Sequence, residues 1–188
     1  NIDGFIYVPS VKLYFAKERT LQDINWTETH KRLNSKILNL PHKPRLRMPA
    51  DQETWALINY LKANLGDAQN KQVYDDILKT TPANTWHGEW QNAIYSHDGG
   101  KVYVQNVKGL KKNGDLNLTS KVEISDYLTS DGWADVSSAQ NINNQGLCRV
   151  ASSKSSYVQG ENIYFWYPRN GTVAGFYADS DGAVLYGL

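Results

Sequence analysis

The sequence predicts an α+β fold, with helices in the first half and antiparallel strands in the second. Apolar residues recur at helical spacing between Trp26 and Leu78. From Trp86 onward, short alternating or apolar runs are cut by Asp98-Gly99-Gly100, Asn113-Gly114-Asp115, Asp131-Gly132, Asn170-Gly171 and Asp181-Gly182. Such dipeptides supply the positive φ of tight hairpins, so strands and loops are expected there. Helices followed by a run of strands are the pattern of an α+β domain.

Along the chain, Phe5-Ile6-Tyr7-Val8 and Lys12 to Lys17 are aromatic and β-branched, with Pro9 between them. They read as two short strands, or one bent strand, at a sheet edge. Asn25 can cap a helix that places Trp26, His30, Leu33 and Ile37 on one face, with Pro41 and Pro44 beyond its end. A second helix follows Pro49, with Asp51 as the expected N-cap, an apolar face of Trp55, Leu57, Ile58, Leu61 and Leu65, and Gly66 as the C′ residue. Asp67 to Leu78, with Val73, Ile77 and Leu78 apolar, reads as a third helix or a continuation of the second. The polar stretch Ser137 to Gln145 is the expected long loop.

Composition narrows the function classes. With 188 residues, 40% of them hydrophobic, the chain is expected to form one domain over 1–188. Twenty basic against 19 acidic residues give a net charge of +1, which provides no field to gather nucleic acid or an anionic membrane. No apolar run approaches the roughly 18 residues of a membrane span. The single cysteine, Cys148, sits in an apolar frame, reads as a core residue, and excludes an intrachain disulfide or a paired-thiolate zinc site. Opening at Asn1, without Met or a signal-peptide pattern, is expected of a trimmed or processed protein.

Catalytic and metal chemistry lacks a specific motif. His30, His42, His87 and His97 have no pairing of metal-ligand spacing and read as structural or exposed. Asp179-Ser180-Asp181-Gly182 has the opening oxygen spacing of a calcium loop, but no Glu follows at the required distance, and a hairpin turn explains it better. His87, Glu89 and Asp98 are close in sequence and are where an enzyme reading would look. Lys36, His42, Lys43, Arg45 and Arg47 form a basic segment that could contact phosphate, yet no stacking platform is interleaved with it, so a solvated loop is the better reading. No metal, cofactor or catalytic residue is expected.

The C-terminal segment stands out. Aromatic residues make up 12% of the chain, yet Tyr157, Tyr164, Phe165, Trp166, Tyr167, Phe176, Tyr177 and Tyr186 all fall in the last 32 positions, about twice that density. If 172–178 is a strand, Val173, Gly175 and Tyr177 share one face and Ala174, Phe176 and Ala178 the other. After Asp181-Gly182, Ala183 and Leu185 continue one face while Val184 and Tyr186 continue the other. Tyrosines mixed with Thr, Gly and Asn over a regular Ala, Phe and Leu scaffold have the chemistry of a binding surface. Burial of the same tyrosines in a core, with their hydroxyls at its rim, is the plainer alternative.

The string from Gly160 to Gly187 resembles the variable region of diversity-generating retroelement proteins. The frame residues carrying the likeness are Tyr164-Phe165, Pro168-Arg169, Gly171, Val173-Ala174, Phe176, Ala178-Asp179-Ser180-Asp181, Ala183 and Leu185. The resemblance implies that the gap positions Tyr157, Tyr167, Asn170, Thr172, Gly175, Tyr177, Gly182, Val184 and Tyr186 are ligand-binding residues. All are reachable by mutating adenines of an AAC-type codon. Trp166 is not, and belongs to the scaffold. The family implies a C-type-lectin-like fold with two or three N-terminal helices, antiparallel strands, long loops and a variable region over 157–187. The run Leu46 to Trp55 is similar to the helix-opening motif of formylglycine-generating-enzyme-like lectin folds, and Gly146 to Ala151 to their Gly-Phe-Arg-Val-Ala strand. The chain thus reads as a divergent member, of archaeal type. Neither the paired cysteines of formylglycine-generating chemistry nor a Glu-Pro-Asn or Gln-Pro-Asp sugar motif is present. The implied function is display of one binding specificity, toward a protein or cell-surface ligand, from a surface-displayed or extracellular position. An assembly protein using the tyrosine-rich face as a permanent interface, or an enzyme, are the rivals.

Overall fold

The computed structural model describes residues 2–18, 21, 24–36, 46–78, 88–135, 141–156, 158, 160–165, 167–169, 171 and 173–177, with backbone alone for 88–90 and 173–177. The architecture is α+β: helices come early, antiparallel strands dominate later, and the strand pairings of the three sheets are antiparallel.

Strands β1 (Phe5–Val8) and β2 (Leu13–Ala16) pair directly, Ile6 with Phe15 and Tyr7 with Tyr14. They form a two-stranded sheet of their own instead of the expected edge of a larger one. Alternation sends Ile6, Val8 and Phe15 inward, while Tyr7 and Tyr14 meet on the exposed side with ring centroids 4.9 Å apart.

Helix α1 (Trp26–Ser35) starts where expected, because the Asn25 side chain accepts the Glu28 N–H at 2.8 Å. Trp26, Thr29, His30 and Leu33 are its buried face. Ile37, Pro41 and Pro44 lie outside the described residues.

Helix α2 (Asp51–Ala63) corrects two expectations. Its N-cap is Ala50, not Asp51, and the cap is supplied from inside the helix: the Glu53 carboxylate accepts the Ala50 N–H at 2.8 Å. Arg47 grips the same carboxylate through both terminal nitrogens, at 2.6 and 2.7 Å, which commits it to the helix start and not to phosphate. The helix also ends earlier than the apolar pattern suggested. Asn64 is the C-cap, Leu65 is exposed, and Gly66 is not in the left-handed region. Helix α3 (Ala68–Ile77) is a separate helix, capped by the Asp67 side chain on the Gln69 and Asn70 N–H groups.

Strands β3 (Gly88–Asp98), β4 (Lys101–Gln105), β7 (Val122–Ile124), β8 (Gly132–Asp135), β9 (Asn162–Phe165) and β10 (Val173–Tyr177) build a six-stranded sheet ordered β7-β4-β3-β10-β9-β8. Strands β5 (Val107–Leu110) and β6 (Leu116–Leu118) form a separate pair beside α1. The β3–β4 hairpin turns at Gly99 and Gly100, with φ of 56° and 77°, as Asp98-Gly99-Gly100 predicts. Asp131-Gly132 is not a hairpin turn: Gly132 opens β8, paired with Phe165, and its φ is not in the left-handed region. Gly146–Ala151 is not a strand either, making one isolated bridge, Cys148 with Ile142.

The main core lies between one side of β8 and β9 and the helices α2 and α3. Ala134 and Ile163, directly paired, meet Trp55, Ile58, Leu61, Val73 and Tyr74 there, with β1 and β2 closing the cluster and Cys148 inside it. The expected burial of Cys148 is thus observed.

Candidate functional site

Strand β10 carries the middle of the segment singled out by the sequence, and it occupies an interior position of the sheet, between β3 and β9. Gly175 lies opposite Trp90, and Tyr177 opposite both Gly88 and Tyr164. Tyr167 is the remaining described gap residue. Tyr157, Asn170, Thr172, Gly182, Val184 and Tyr186 lie outside the described residues, as do Gly187 and the turn at Asp179-Ser180-Asp181-Gly182.

The approach to β10 is held from two sides. On one side, Asp131, just before β8, accepts the Tyr167 backbone N–H at 3.0 Å through one carboxylate oxygen. Its other oxygen is 2.5 Å from the Arg169 guanidinium. The guanidinium also lies over the Tyr167 ring, 4.4 Å from its centroid, a cation–π contact. On the other side, the end of β3 supplies two contacts. The Tyr95 carbonyl accepts the Gly171 N–H at 2.9 Å, and a His97 ring nitrogen is 3.2 Å from the Pro168 carbonyl. Gly171 has φ 72° with open space where a Cβ would be, so glycine is required there by backbone conformation and not by crowding.

Beside β10, Trp133 on β8 and Tyr164 on β9 are directly paired and meet edge to face, with centroids 5.1 Å apart and planes at 85°. They point to the side of the sheet opposite Ala134 and Ile163. Both are half-buried. Asp131, Trp133 and Tyr95 were not anticipated as parts of this region. Asp131 was masked by its turn-like neighbour Gly132, and nothing local in the sequence ties it to Tyr167, 36 residues on.

Under β10 the sheet is irregular. Between the pairs Val173–Ile94 and Gly175–Trp90, two steps of β10 face four of β3, a bulge in β3. The bulged residues Gln91, Asn92 and Ala93 are all buried, and their polar groups tie neighbouring elements together. The Trp26 indole donates to the Gln91 carbonyl at 2.7 Å, and the Thr54 hydroxyl to the Gln91 side chain. Asn92 exchanges two hydrogen bonds with the Val107 backbone, at 2.6 and 2.9 Å, and its N–H donates to the Pro49 carbonyl at 2.7 Å.

Three buried titratable groups lie at the start of α2. The Tyr95 hydroxyl donates to Asp51 at 2.7 Å. The Asp51 residue retains partial exposure, but burial of its carboxyl raises the pKa to about 7, against a lowering contribution from Tyr95. Burial, with Asp51 adding to it, pushes the Cys148 thiol up to about 12, so it is a protonated core group and not a nucleophile. His30 is held neutral, its pKa lowered to about 4 by burial, with Nε2 lacking a hydrogen-bond partner among the described residues and its ring 4.3 Å from Trp26. Of the residues of the enzyme reading, Glu89 and Asp98 sit near opposite ends of β3, about 30 Å apart at strand rise, and His87 lies outside the described residues. Among the described residues no group of three or more His, Cys, Asp or Glu is placed to hold a metal ion, and no helix is long and apolar enough to cross a membrane.

Together these features define an α+β protein with a central strand clamped at its entrance. No family model matches the chain, and no curated protein and no solved structure is significantly similar to it.

Proposed function

We propose that the chain is a ligand-binding display protein with a C-type-lectin-like fold, whose 157–187 segment is diversified by a retroelement. The observation that carries this reading is a division of labour at the entrance to β10. Frame residues use their side chains or special backbone to hold the segment: Arg169 pairs with Asp131, Gly171 takes φ 72°, and Phe165 packs against the main core. The gap residue Tyr167 is held by Asp131 through its backbone N–H, which every residue except proline possesses, and its ring adds a cation–π contact with Arg169. A segment built this way tolerates replacement at the gaps without losing its course.

The lectin-like likeness draws support from the two motifs that suggested it. The indole of Trp55, in the helix-opening motif, donates to the Gly146 carbonyl at 2.9 Å, in the other motif. The bound partner is a protein or another surface molecule, met at a cell or particle surface, and no chemistry is performed on it. Tyrosine-rich, half-buried surroundings with Trp133 and Tyr164 beside β10 suit rigid aromatic contact to such a partner.

The test is a library randomised at 167, 170, 172, 175, 177, 182, 184 and 186, compared with one randomised at 165, 169, 171 and 176, each selected first for folding and then for binding to immobilised proteins. The reading expects the first library to keep most members within about 0.5 kcal/mol of the parent and to yield binders, and the second to lose most folded members. Equal intolerance of both libraries would overturn it in favour of a permanent interface or a buried core.

A further inference from the structure

Asp131 stands outside the variable segment, yet both its oxygens are spent on that segment. One accepts the Tyr167 N–H at 3.0 Å, and the other pairs with Arg169 at 2.5 Å. Its side chain is 18% exposed and that of Arg169 32%, so the pair is shielded enough for charge-assisted hydrogen bonds to hold a geometry. Arg169 in turn covers the Tyr167 ring, so backbone, cation and ring form one closed unit immediately before the turn into β10. Asp131 is itself fixed by position, because the next residue, Gly132, enters register with Phe165 at the edge of the sheet.

We propose that Asp131 is the positioning residue of the ligand-binding segment, presetting the course of 167–169 so that residues displayed from the segment bind without first being ordered. The proposal rests on the display reading given above. Its physical content is preorganisation: a segment already held in its bound course loses less conformational freedom on binding. Because one oxygen serves a backbone N–H and the other a frame cation, these two bonds do not draw on the Tyr167 ring, which adds its own cation–π contact with Arg169. Asp131 therefore acts through the segment and need not touch the ligand.

Asp131→Ala and Asp131→Asn decide this, the latter retaining an oxygen for the Tyr167 N–H while losing the negative charge that faces Arg169. Amide hydrogen exchange in the full chain is read first. Exchange at Tyr167 and Gly171 is expected to rise roughly tenfold or more in Asp131→Ala and less in Asp131→Asn, with the core amides of Ile58 and Ile163 unchanged. The same gap library is then built in parent and Asp131→Ala backgrounds and panned against immobilised lysozyme and streptavidin. The parent background is expected to yield binders, and the Ala background binders at least roughly tenfold weaker, mainly through faster dissociation. Unchanged exchange at Tyr167, or binders of equal affinity in both backgrounds, would overturn the proposal. A uniform rise in exchange that includes Ile58 would also overturn it, by making Asp131 a general stability residue. A parent library without binders would sink the display reading, and with it any binding role for Asp131, even where exchange shows the clamp to be real.

Discussion

The indole N–H of Trp55 donates to the carbonyl of Gly146 at 2.9 Å, joining helix α2 to a segment 91 residues away. Gly146 has φ 89°, and a Cβ built there would lie 2.5 Å from the carbonyl carbon of Asp51. The helix start and this glycine therefore fit only because a hydrogen stands where other residues carry a side chain.

Gly146→Ala combines a disfavoured backbone conformation with overlap against helix backbone, neither of which a rotamer change can relieve. It is expected to lower stability by about 3 kcal/mol or more, read as a shift of the urea midpoint. Trp55→Phe retains most of the buried ring but leaves the Gly146 carbonyl without its donor, and is expected to cost about 1–3 kcal/mol.

His30 makes stability depend on pH from the acid side. Its folded pKa of about 4 lies below the ordinary 6.5, so the unfolded chain binds the proton more readily between those values. Its contribution is complete above pH 6.5 and is lost as pH falls through about 4, to the extent of about 3 kcal/mol. Denaturant titrations from pH 7 to pH 4 should show this fall once the opposing contribution of Asp51 is removed by Asp51→Asn, and adding His30→Phe in that background should remove it.

Asp51 acts in the opposite sense. Burial raises its pKa from 3.8 to about 7, so the folded chain binds the proton more readily between those values. Stability from this group is greatest below the ordinary carboxylate pKa and declines as pH rises to about 7. Asp51→Asn keeps an oxygen for the Tyr95 hydroxyl and abolishes that decline. The parent should therefore show partial cancellation between pH 4 and 7, with Asp51→Asn exposing the His30 slope and His30→Phe the Asp51 slope.

Asn92 holds β5 to the bulge beneath β10 through two hydrogen bonds with Val107. Asn92→Ala leaves a buried N–H and a buried carbonyl of Val107 without those partners, at an expected cost of about 2–4 kcal/mol. Amide exchange should localise the loosening to β5 and the middle of β3 before the rest of the sheet responds.

Much of the fold is legible because its causes are local. Asn25 and Asp67 cap α1 and α3 with their own side chains, and Gly99 and Gly100 turn the β3–β4 hairpin by their own conformations. Local reading fails where a residue is recruited from afar. Asp51 looks like an N-cap but faces Tyr95, and Leu65 continues an apolar rhythm after the helix has ended at Asn64. Asp131-Gly132 looks like a turn because the dipeptide does not reveal that β9 will pair with Gly132.

The sequence by itself determined the α+β class, the first two helices, the hairpin of β3 with β4 and the burial of Cys148. Each follows from spacing, capping and apolar context within about a dozen residues. Only the tertiary structure decided that β10 lies inside the sheet, that β3 bulges opposite it, and that Asp131 and Tyr95 clamp its entrance. Those arrangements depend on the Asp131–Tyr167 contact, 36 positions apart, and on β10–β3 pairings 79 to 89 positions apart, and at such separations no local pattern selects which of many compatible strands becomes the neighbour.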